Sequence, residues 1–206
     1  MSDFVFYLLI GLRIILPPLI ATTCHPLLSI LLIEAVVDGL ISPHHVATYL
    51  SYRLPPSKGE NLPMGYNSYD KPLDLWGQLW AMYPVWFSSS RYYYVFENYR
   101  ILITIFFLYR LLGYIWYWVA SFLKKDLLNK KIFIKFPNIY LLVYLVVAMM
   151  SVLAFQNVSV VYIFLPLLVL IAVIKEYQIH EPKSIWNSLF YNLEQFTLGG
   201  NHISSP

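Results

Sequence analysis

One feature constrains this chain more than any other: from Phe4 to Ile41 it is almost unbroken hydrocarbon, interrupted by little more than "TTCH". A bilayer asks for about 20 mostly apolar residues per helix, so a run of this length has the makings of two membrane helices rather than the core of a small soluble domain. Within it, "IEAVVDGLIS" carries Glu34 and Asp38 four residues apart, one helical turn. Carboxylates at such depth are costly unless something neutralises them.

The rest of the chain follows the same pattern. Of its 206 residues, 59% are hydrophobic, 18% aromatic and only 12% charged, which describes a polypeptide dissolved mostly in lipid. The expected fold is therefore all-α, a polytopic membrane bundle of about six transmembrane helices, with candidate spans at 4–21, 26–41, 72–87, 101–122, 139–155 and 158–174. The first two are short and close together, so they form either a tight, tilted hairpin or a pair that does not cross fully. A helical membrane domain of 1–180 is expected, with a cytoplasmic loop at 42–70 whose prolines, glycines and polar residues belong at or outside the interface, followed by a polar tail, 181–206. The single cysteine, Cys24, excludes a disulfide framework and a cysteine-cluster metal site. The N-terminal run lacks a basic n-region and reads as a retained span. Lys124, Lys125, Lys130, Lys131 and Lys135 crowd one loop, while Arg53, Lys58 and Lys71 sit in or beside the long one. That bias sets both loops and both termini in the cytoplasm, with the plasma membrane as the expected location.

Chemistry, if the chain performs any, belongs at the two corners bracketing the long loop. Asp38-Gly39 closes the second expected span, and "YDKPLDLW" opens the third with Asp70 and Asp74 one turn apart. Oxygen ligands from Asp38, Asp70 and Glu34 suit a hard divalent cation, Mg2+ or Mn2+, for which phosphates are natural co-ligands. Simpler accounts stand beside this one: Asp38-Gly39 also reads as a helix exit, and Asp70 and Asp74 as acids favoured by a helix N-terminus. Arg110, in "FFLYRLLG", reads as mid-span and calls for a buried carboxylate partner, Glu34 or Asp74. His44, His45 and His180 read as solvated side chains, and "NVS" at Asn157 lies too near the membrane for glycosylation.

These residues carry a family resemblance. "LIGLRIILPPLI", with Arg13 five residues before Pro18, resembles the opening segment of the CDP-alcohol phosphatidyltransferases, six-span membrane enzymes. Their signature runs D-x-x-D-G-x-x-A-R, then after a gap G-x-x-x-D-x-x-x-D, and "EAVVDG" and "GYNSYDKPLD" stand in the two places. The resemblance implies metal ligation by Asp38 and Asp70 and makes Asp74 the base that activates an acceptor hydroxyl. Ala35 stands where the family has its first aspartate, and Ser42 and Pro43 where it has Ala-Arg. Two functions follow: a metal-dependent transferase acting on a CDP-alcohol in phospholipid synthesis, or a non-catalytic membrane subunit or scaffold whose charges pair internally. An ion transporter stands third, without an internal repeat to support it. The expected partners are the lipid bilayer, a CDP-alcohol substrate and other membrane helices, in a homo- or hetero-oligomer, and not nucleic acid.

Overall fold

A computed structural model describes residues 3–41, 67–122, 132–154 and 158–180. The long loop from 42 to 66, the lysines at 124–131, Asn157 and the tail from 181 lie outside the described residues, as do the side chains of Asp70 and His180.

All regular structure among the described residues is helical. Helix α1, Asp3–Thr23, turns at Cys24 and His25 into α2, Pro26–Leu31, which runs on into a π-helical segment, Leu32–Leu40. Then come α3, Asn67–Ala81; the short α4, Tyr83–Trp86; a 3-10 segment, Tyr93–Tyr99; and α5, Arg100–Phe122. The short α6, Ile132–Lys135, leads into α7, Ile139–Val152, and α8, Val158–His180.

Three helices are long and apolar enough to cross a bilayer, at Phe4–Thr23, Tyr93–Val119 and Ser159–Gln178, which fits an integral membrane protein. Many of their large apolar side chains face outward, with Phe4 75%, Ile101 77% and Ile163 70% exposed, where a soluble helix turns its apolar stripe inward. The other three expected spans take different forms. The stretch 26–41 splits into α2 and the π-helical segment, 72–87 breaks between α3 and α4, and α7 is apolar but short.

The chain divides into two compact units, Met1–Leu102 with Leu145–Gln156, and Ile103–Tyr144 with Asn157–Pro206. In the first, α1 packs against the π-helical segment and α3, so the two apolar runs on either side of Cys24 and His25 lie against one another. The turn between them is built locally. His25 caps α2, its Nδ1 accepting from the Leu27 N–H at 3.2 Å, and burial holds the imidazole below its ordinary pKa, in the neutral form that can accept. The Ser29 hydroxyl ties the turn back to the carbonyls of Ile20 and Cys24, at 3.1 and 3.3 Å.

In the second unit a buried cation anchors the segment before α7. Arg110 donates through Nη1 to the Phe136 carbonyl at 2.7 Å and meets Glu176 Oε2 at 3.3 Å, with its guanidinium over the Phe133 ring. The carboxylate partner of Arg110 is thus Glu176 of α8, in place of the expected Glu34 or Asp74. Arg110 stands midway along α5, as expected, while its partner Glu176 lies near the end of α8. Next to it, Gly113 admits Phe136: a Cβ there would lie 2.7 Å from the Phe136 Cβ, closer than real side chains approach. Elsewhere in a helix, alanine would gain about 1 kcal/mol over glycine. Here Gly113→Ala overpacks the contact and should lower stability by about 1–3 kcal/mol, read as a fall in the detergent melting temperature. An unchanged or raised melting temperature would mean that Phe136 does not seat against Gly113.

Candidate functional site

Arg13 stands midway along α1 and is 1% exposed. A guanidinium buried to that extent requires anions, and two reach it. Its Nη2 donates to Asp38 Oδ1 at 3.0 Å and to Asp74 Oδ1 at 2.7 Å. Two oxygens that share one nitrogen can be no further apart than the two bonds laid end to end, so the acidic corners expected from sequence do converge. Lys71, one turn before Asp74 on α3, donates to Asp74 Oδ2. Asp74 is therefore held through both oxygens, by two cations. The cost of carboxylates in an apolar run is offset by an arginine from the same run.

Local sequence makes this junction. Pro17 and Pro18 lie inside α1, and because proline has no N–H, the carbonyls one turn earlier, at Arg13 and Ile14, lose their helical donors. The Trp76 indole N–H takes up one of them, donating to the Ile14 carbonyl at 2.9 Å. Trp76 is two residues past Asp74, so the same bond that satisfies Ile14 fixes α3 beside α1 at the level of Arg13. Gly77 then lets the π-helical segment approach α3: a Cβ there would come to 3.1 Å from Ile33 and 4.0 Å from Asp38 Oδ1. The π-helical hydrogen bonding, continued by the Ile41 N–H to the Val36 carbonyl at 2.8 Å, widens the turn that carries Asp38. Such widened turns recur at functional sites.

Of the residues singled out from sequence, Asp38 and Asp74 are brought together. Glu34, earlier on the π-helical segment, is near enough to Asp38 for their charges to interact. Asp70 belongs to the first turn of α3, and its carboxyl lies outside the described residues. Among the described residues, no group of three or more His, Cys, Asp or Glu side chains is placed to hold a metal ion. What the described geometry offers is two carboxylate oxygens converging on one nitrogen of Arg13.

No family model, no curated protein and no solved structure matches this chain. The site must therefore speak through its own geometry.

Sequence reasoning singled out Arg13 for the resemblance but not as the partner of the aspartates, and it missed Trp76 and Lys71 as contributors. Arg13 was visible as a charge inside an apolar helix, and the rule that buried carboxylates require cations points to it. Trp76 could have been found from the paired prolines, which announce two orphan carbonyls. Lys71 has only its spacing to Asp74 to recommend it.

Proposed function

We propose that this chain is a metal-dependent membrane transferase of the CDP-alcohol phosphatidyltransferase type, acting in phospholipid synthesis as a six-span bundle with its long loop and termini in the cytoplasm. One observation carries the reading: Asp38 and Asp74, which stand at the two halves of the signature the sequence resembles, meet at the nitrogen of Arg13, the residue marking the resembling N-terminal segment. Three parts of one resemblance, 25 and 61 positions apart from Arg13, share one point.

In this reading, as the resemblance implies, Asp38, Asp70 and Glu34 would hold Mg2+ or Mn2+, whose charge would offset that of the CDP-alcohol diphosphate. The chain's own residues do the rest. Asp74 accepts the proton of an acceptor hydroxyl as its oxygen attacks the phosphorus remote from the cytidine; the phosphoanhydride bond breaks and CMP leaves. For that, Asp74 must give up its bonds to Arg13 and Lys71. The freed guanidinium and ammonium are then available to phosphate oxygens, which Arg binds in bidentate fashion and Lys as a point charge.

A second reading has its own support. Arg13 occupies the point where the two carboxylates converge, so the cluster is also a self-neutralised pair of the kind that fixes helices in a non-catalytic subunit. The two readings part on turnover. Purified protein in nanodiscs, given a panel of CDP-alcohols with lipid and small-alcohol acceptors, should release CMP with Mg2+ or Mn2+ and stop when the metal is chelated. Folded protein that releases no CMP above a protein-free control across the panel would leave the subunit reading.

A further inference from the structure

The second unit carries a groove of about 360 Å3 on its flank, apart from the carboxylate cluster. Its walls are Ile105, Phe106 and Tyr109 of α5 and Val169 and Val173 of α8, and Lys135 stands at its edge at the end of α6. The volume falls in the range of about 300–1,000 Å3 typical of ligand pockets. Both walls belong to helices long and apolar enough to cross a bilayer, so the groove faces acyl chains when the protein is embedded.

Its polarity is one-ended. The Tyr109 hydroxyl donates to the Lys135 carbonyl at 2.5 Å and so fixes where that lysine stands. Its ammonium meets no carboxylate among the described residues, and the nearby acid, Glu176, is buried and committed to Arg110. Depth agrees with this layout. On α8, Val173 lies five residues before Gln178, where that apolar span ends, and Val169 one turn deeper. Ile105 and Val169, a turn further from that end, point the groove into the hydrocarbon.

We infer that this groove binds an anionic phospholipid, with an acyl chain along Ile105, Phe106, Val169 and Val173 and the phosphate against Lys135. Basic pockets between membrane helices recognise lipid headgroups in this way. The inference needs a bilayer but not the transferase chemistry, and it holds or fails whether or not CMP is released.

Native mass spectrometry of the full chain, released from nanodiscs of equal phosphatidylglycerol and phosphatidylcholine, tests it. The wild type should retain phosphatidylglycerol preferentially, and Lys135→Gln should cut that preference by about five-fold, the equivalent of one interfacial lysine. Lys135→Arg should restore it, and Val173→Trp, which fills the groove while keeping the charge, should lose both lipids. Lys175→Gln, on α8 close by, should leave the preference intact. Equal retention of the two lipids by the wild type would overturn the site. So would a phosphatidylglycerol preference that survives Lys135→Gln, or one that Lys175→Gln removes equally, since either outcome reports only general surface charge.

Discussion

Asp74→Asn should lower CMP release by about 10²–10⁴-fold while the protein still inserts and folds. Asparagine keeps the size of the side chain and an oxygen that can accept from Arg13, which now bonds Asp74 at 2.7 Å, but it cannot take a proton from an acceptor hydroxyl. The stability cost is bounded by what remains. Asp38 still pairs with Arg13, so the guanidinium is not stranded, but the bonds from Arg13 and Lys71 both weaken, a loss of about 1.5–3 kcal/mol for each. The measurement is a paired one, CMP release at saturating metal and thermal unfolding in the same detergent. Full turnover by the variant would remove Asp74 from the role of base.

Arg13→Met should do the opposite, damaging the fold first. Arg13 is 1% exposed and is the shared donor to both aspartates, so its loss leaves two carboxylates facing one another with Lys71, which bonds Asp74, to offset them among the described residues. Removing one side of a buried ion pair costs about 3–5 kcal/mol, and here a single residue serves two pairs. Thermal unfolding in detergent should show a large drop, and membrane yield should fall with it. A variant as stable as the wild type would mean that the guanidinium is not buried between the acids.

The helical character of the chain was legible because hydrocarbon content and run length dictate it, and the turn at Cys24–His25 was legible because only a few residues separate two apolar runs. The number of complete crossings was not. Hydropathy does not register that 26–41 changes from α to π geometry at Leu32, or that the first turns of α3 spend Lys71 and Asp74 on an ion cluster instead of on lipid. Asp38 and Asp74 could be read as a pair from their sequence surroundings, and Arg13 as a charge in an apolar helix, but their meeting could not, because charge pairing across 61 positions leaves no periodic trace. Arg110 shows the same limit. Its need for an acid was plain, yet Glu176 sits in "KEYQIH", a stretch that looks like an ordinary helix end. The π-helical placement of Asp38 and the indole of Trp76 on the Ile14 carbonyl depend on packing between helices, which no local pattern records.

The claim on which the account rests is that Arg13, Asp38 and Asp74 form one centre, and a thermal-unfolding comparison of Arg13→Met with Arg13→Met/Asp38→Asn/Asp74→Asn tests it most directly. Breaking a buried ion cluster from one side is destabilising, whereas replacing the arginine together with both its acids by neutral groups of similar size costs far less, Lys71 being partly exposed, so coupled residues depart from additivity. The triple variant should therefore recover most of the stability that Arg13→Met loses. If the three substitutions instead add their costs, leaving the triple variant less stable than Arg13→Met alone, the two acidic corners do not meet at Arg13.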